Sequence, residues 1–257
     1  MSAFERVLAA PSSLAARKAL AAEWKAKKDP RAELIDAQLR VHQHRVDNTM
    51  WDDEARALVR EIHELLEKHA AQWAGGAARL AKEVAFHRGC VAEVTLPGAA
   101  FSSAMPKLLA VAPIQHVNLT APLALEAVVE SGHLAKLASL RISEHRGAFG
   151  DAQAAALARS PHLSNLKWLS LVDNTIGRAG AEALAASPQL APCVYVDLGG
   201  NPTNPTPSLS EYEGVENRGR PAIAQELERR FGKRAWLQVP AAGTPWPPDR
   251  DLLATTD

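Results

Sequence analysis

Nine histidines, two cysteines and the glutamates at 211 and 213 are the residues here that most invite a reading as catalytic groups or metal ligands, and their spacing argues against both. His42 and His44 are two apart, which on a helix turns them about 200° from each other and makes a poor grip on one ion. His63 and His69 are six apart and read as neighbours on a helix flank. Glu211 and Glu213 flank Tyr212 in a long Gly/Pro/Asn-rich stretch, 199–220, and close carboxylates can act as acid and base. A solvated loop is the simpler reading, and if the chain were an enzyme this loop would be its best site. Cys90 and Cys193 form no C-x-x-C pair and are too few for a disulfide framework, which suits a reducing compartment. The dinucleotide and phosphate-binding glycine motifs, the nucleophile elbow and the H-E-x-x-H zinc motif are all missing. The sequence therefore predicts no catalytic residue, no cofactor and no metal, and recognition is the chemistry left.

For recognition, the informative stretch is Leu166-Lys167-Trp168-Leu169-Ser170-Leu171-Val172-Asp173-Asn174-Thr175-Ile176, which fits the leucine-rich-repeat pattern L-x-x-L-x-L-x-x-N-x-(apolar). The register returns 27 residues later, where Cys193, Val196 and Leu198 occupy the leucine places and Asn201 the asparagine place. Weaker copies lie upstream: Leu137, Leu140, Ile142 and His145; Ile114, Val117, Leu119 and Pro122; Val91, Val94 and Leu96. In such a strand the apolar residues point into the core and those between them point to the other sheet face. That alternation defines one column of Glu93, His116, Ser139, Trp168 and Tyr195, joined by Trp236 if 235–239 is the last strand. A second column holds Thr95, Asn118, Arg141, Ser170, Asp197 and Gln238. Stacked strands lie about 4.8 Å apart, so column neighbours nearly touch. Because Trp, Tyr and Arg dominate interface hot spots, the candidate partner-binding residues are Arg141, Trp168, Ser170, Tyr195, Asp197 and Trp236. Asn174 and Asn201 are expected to satisfy backbone groups at the turn after each strand rather than to hold a ligand.

The elements that must position these columns are also periodic. Residues 149–163 align with 176–190 as short Ala-rich helices, each closed by Ser-Pro-x-Leu, because the residue before proline avoids α geometry and proline lacks an N–H. About five strand-plus-helix units follow from this period. Residues 1–80 have helical spacing instead, through Phe4, Val7 and Leu8, then Leu14, Leu20 and Trp24, then Leu34, Ile35 and Leu39, then Leu58, Ile62, Leu65 and Leu66. Asp29 and Pro30 read as the N-cap and first turn of the third helix, and Lys25, Lys27 and Lys28 as the cationic end of the second. Between these parts, 84–96 reads as a hairpin with Arg88-Gly89 at its turn, capping the open end of the repeats. Residues 240–257, with Pro245, Trp246, Pro247 and Pro248, read as a Pro-rich tail.

The fold class expected is α/β: a leucine-rich-repeat solenoid with a parallel sheet and short convex helices over residues 81–239, preceded by a small α-helical domain over 1–80. Lys plus Arg and Asp plus Glu both number 29, so no global charge favours nucleic acid as the main ligand. Glu5 and Arg6 interrupt the first apolar segment, and no run approaches 18 apolar residues, so neither a secretory leader nor a membrane span is expected. The localisation predicted is cytoplasmic.

Three further stretches carry a family resemblance. Residues 15–24 (Ala-Ala-Arg-Lys-Ala-Leu-Ala-Ala-Glu-Trp), 28–35 (Lys-Asp-Pro-Arg-Ala-Glu-Leu-Ile) and 86–91 (Phe-His-Arg-Gly-Cys-Val) resemble the repeat-companion domain that precedes leucine-rich repeats in myxobacteria and planctomycetes. Glu23 replaces that family's usual Asp and Lys28 its usual Gly, while Asp29-Pro30-Arg31 and Glu33 are kept. The resemblance covers roughly residues 3–100 and continues into repeats similar to the ribonuclease-inhibitor type and a closing segment over 227–234. It implies a bacterial, non-catalytic module that binds another protein, as a regulatory or inhibitory subunit. A toxin-neutralising immunity protein is the alternative that the inhibitor-like repeats suggest, ahead of an enzyme with its site at 199–220.

Overall fold

The computed structural model describes residues 1–47, 49–142, 148–205 and 221–238. His145, the Glu211/Glu213 loop and the 240–257 tail therefore lie outside the described residues. Among them the fold is α/β. Among the described residues there are nine α-helices: α1 (Ala3–Ala9), α2 (Leu14–Ala26), α3 (Arg31–Val46), α4 (Asp53–Ala74), α5 (Phe101–Val111), α6 (Leu125–Val129), α7 (Asp151–Ala158), α8 (Arg178–Ala186) and α9 (Ala222–Phe231). Six strands, β1 (Glu83–His87), β2 (Cys90–Pro97), β3 (His116–Thr120), β4 (Ser139–Ile142), β5 (Trp168–Ser170) and β6 (Tyr195–Asp197), form a sheet in chain order. The described residues divide into two compact units, one of residues 1–96 and 103–116, the other of 97–102 and those described between 117 and 238.

In the first unit, side chains close the helix ends. Ser2 Oγ accepts the Glu5 N–H while Glu5 returns a carboxylate to the Ser2 N–H, a reciprocal capping box at α1. Ser13 Oγ accepts the Ala16 N–H at α2. At α3, Asp29 Oδ1 accepts the Arg31 N–H at 3.0 Å, and the helix begins one residue beyond the start that Asp29-Pro30 predicts. Such a shift is ordinary at a frayed first turn. Val7, Leu20, Trp24 and Ile35 form a core that Cys90 of the hairpin joins. Cys90 thus ties the hairpin to these helices, and β1 and β2 lie in the same compact unit as them. The hairpin turn has positive φ at both Arg88 (50°) and Gly89 (77°), the geometry of a two-residue turn matched to strand twist. Position 89 admits only glycine, because a Cβ there would lie 2.0 Å from Ile35 Cγ1.

The second unit is built on repetition. β4, β5 and β6 pair in parallel, with Leu140, Leu169 and Val196 in one row and all three fully buried. Leu137, Leu166 and Cys193 make a second buried row, and Ile142, Leu171 and Leu198 a third. Contacts recur with the period. The Lys167 N–H donates to the Ala138 carbonyl at 2.8 Å, and the Val194 N–H to the Lys167 carbonyl at 2.9 Å. Asn174 Nδ2 donates to the Ile142 and Leu171 carbonyls, and Asn201 Nδ2 to those of Leu171 and Leu198, so the asparagines are backbone staples as their register predicts. The Ser-Pro serines add a staple of their own. Ser160 Oγ donates to the Val129 carbonyl (2.5 Å) and Ser187 Oγ to the Ala158 carbonyl (2.6 Å), each one repeat back.

The last strand expected from the sequence is not formed. Residues Ala235–Leu237 make a single 3-10 turn after Gly232, and Trp236 lies in that turn rather than in the sheet. A short, mostly apolar run does not by itself distinguish strand from helical turn, and here it closely follows the end of α9 at Gly232 (φ 83°).

Candidate functional site

The two columns are in register across β4, β5 and β6: Ser139 pairs with Trp168 and Trp168 with Tyr195, while Arg141 pairs with Ser170 and Ser170 with Asp197. Their side chains alternate with the buried leucine row, so they share the opposite sheet face. The Trp168 and Tyr195 rings stack with centroids 5.9 Å apart and planes 28° apart. Tyr195 hydrogen-bonds the carboxylate of Asp197, two residues on along the same face. Burial first, and that neighbouring carboxylate second, hold the phenol above its ordinary pKa, so it stays a donor. Asp197 Oδ1 also accepts the Gly199 N–H at 2.9 Å, which fixes the carboxylate at the end of β6.

Exposure is uneven across the six candidates. Arg141 is exposed, Trp168 and Asp197 are half-buried, and Ser170, Tyr195 and Trp236 are buried, at 2, 7 and 2% of their full exposure. The solvent-exposed part of the face is thus Arg141 with portions of Trp168 and Asp197. Tyr195 supports Trp168 from behind and Ser170 fills the row between Arg141 and Asp197. Trp236 is in neither column.

This geometry suits binding better than covalent chemistry. Cys193, the nearest thiol, is fully buried and its pKa is pushed up to about 12, so it remains a thiol at neutral pH. Among the described residues no group of three His, Cys, Asp or Glu side chains could hold a metal ion, and His44 and His69 are engaged with Thr49 and the Trp73 ring. Asp151 binds the Gly177 and Gly180 amides at 2.7 and 2.9 Å, occupying the start of α8 with an internal carboxylate. Sequence reasoning did not single out Asp151. Its signal was present, because Arg178 stands in the aligned position of the next repeat.

Sequence reasoning also passed over a cleft of about 570 Å³ within the first unit, lined by Trp24, Arg31, His69, Trp73, Phe86 and Cys90 among others. The i,i+4 pair His69/Trp73 on α4 and the Asp29-Pro30-Arg31 turn were the available signs. No helix among the described residues is long and apolar enough to cross a membrane. The chain matches no protein-family model, no curated protein and no solved structure.

Proposed function

We propose that this chain is a non-catalytic protein-binding module: a leucine-rich-repeat solenoid preceded by a repeat-companion helical domain. It binds another protein through the sheet face carrying Arg141, Trp168 and Asp197, as a regulatory or inhibitory subunit in a reducing, cytoplasmic setting. One observation carries the reading, the parallel register that stacks Trp168 on Tyr195 and sets Arg141 and Asp197 two strands apart in the adjoining column. An aromatic plate braced from behind and flanked by opposite charges is the composition of an interface hot spot. The 27-residue recurrence and the asparagine staples support the solenoid. Lys28, which stands where the companion-domain pattern has glycine, has a φ of 56°, and this supports the resemblance of the helical unit. Affinity capture from the native cell with the parent and with Trp168→Ala/Arg141→Ala is the test. A protein recovered with the parent and lost with an equally stable variant is expected; recovery unchanged by the variant removes the sheet face from the reading.

A further inference from the structure

The cleft in the helical unit has no role in the proposed sheet interface, and its composition is specific. Its volume of about 570 Å³ falls in the range of small-molecule sites. Trp24, Trp73 and Phe86 bring three large rings to it from α2, α4 and β1. Such rings favour a flat, apolar ligand body through offset or edge contacts.

Asp29, Arg31, His69 and Gln72 are the polar residues of the lining, and Arg31 is the cation among them that an anion would meet. Its guanidinium lies 4.2 Å over the Trp24 ring and is clamped by Asp29, whose Oδ1 accepts from Nε and whose Oδ2 accepts from Nε and from Nη2 at 2.6 Å. Nη1 has no acceptor among the described residues, and the Arg31 side chain keeps 35% of its exposure. Both Asp29 oxygens are occupied by Arg31, so the carboxylate serves to aim the cation. A guanidinium seated over an aromatic ring and fixed by a carboxylate on one edge, with Nη1 unengaged, is preorganised for a second carboxylate.

We propose that this cleft is a binding site for a planar aromatic carboxylate, with the ring body against Trp73 and Phe86 and the carboxylate on the open edge of Arg31, whose other contacts are the Trp24 ring and Asp29. The site can be closed without disturbing the fold. Gly76 lines it with helical backbone (φ −65°, ψ −30°), and a Cβ there would meet only Val111 methyls, at 3.9 Å. A larger side chain at 76 would enter the cleft without backbone strain.

The test is calorimetric titration of the full chain with sodium 2-naphthoate and, as a charge control, with 2-naphthylmethylamine. The expected result is a saturable 1:1 isotherm for the carboxylate and at least tenfold weaker binding of the amine. Gly76→Phe should weaken 2-naphthoate at least tenfold with an unchanged melting temperature, and Arg31→Gln should remove the preference for carboxylate over amine. No saturable binding of 2-naphthoate, equal affinity for both probes, or undiminished binding by folded Gly76→Phe overturns the proposal. None of these outcomes bears on the sheet face, whose variants should bind 2-naphthoate as the parent does.

Discussion

Arg17 is fully buried, yet its guanidinium is arranged as a fastener: Nη1 donates to the Arg88 carbonyl at 3.1 Å, Nη2 to the Pro11 carbonyl at 3.3 Å, and Cys90 lies within hydrogen-bonding reach. Burial lowers its pKa below the ordinary arginine value while Cys90 opposes the shift. Replacing Arg17 by Met keeps the volume but strands those acceptors, which costs about 1–3 kcal/mol for each buried group left unpaired. Urea denaturation of Arg17→Met should register that loss, and a stability equal to the parent's would mean that water replaces the guanidinium. Asp29 makes a pH prediction. Its hydrogen bonds from the Arg31 side chain, the largest cause, hold its carboxyl below the usual range. A carboxyl with a depressed folded-state pKa stabilises above its unfolded value, near 3.9, and loses that contribution as pH falls through the lower folded value. Asp29→Asn should therefore be less stable than the parent at pH 7, with the gap narrowing below about pH 4. A gap independent of pH would assign the effect to packing alone.

At the scale of elements, the parallel strands and their staples make the strongest claims. Leu169 is fully buried in the middle row, between Leu140 and Val196, and Leu169→Ala should cost about 2–5 kcal/mol by chemical denaturation. Asn174→Ala removes the donor from two buried carbonyls and should cost at least about 1–3 kcal/mol. Variants as stable as the parent would show that the leucine and asparagine rows do not carry the repeat. These rows were legible in the sequence because a fixed period with apolar residues at set places leaves one register that buries them all. The four N-terminal helices and the hairpin were legible for the same reason of period, with Arg88-Gly89 marking the turn. Exposure on the other sheet face was not legible. Alternation decides the side on which Tyr195 and Ser170 lie, and it does not decide how deeply that side is buried. Trp236 was misread because its short apolar segment has no partner rule of its own. The Arg17 fastener and the cleft were hidden because they depend on residues brought together from helices, hairpin and α5, which no local pattern encodes.

For the whole molecule, equal numbers of acidic and basic residues leave no long-range field to attract a polyanion, so specificity must reside in local complementarity. In the proposed role the face carrying Trp168, Arg141 and Asp197 supplies that complementarity, with the Tyr195 ring stacked against the indole. Truncating a central aromatic anchor commonly costs 2 kcal/mol or more, whereas a rim charge changes mainly the association rate. The decisive measurement is calorimetric titration of the partner recovered by capture, against the parent and against Trp168→Ala, with melting temperatures recorded for both chains. An affinity at least tenfold weaker for Trp168→Ala, about 1.4 kcal/mol, at an unchanged melting temperature is the predicted result. Equal affinity for the two chains would contradict it and exclude the sheet face as the binding surface.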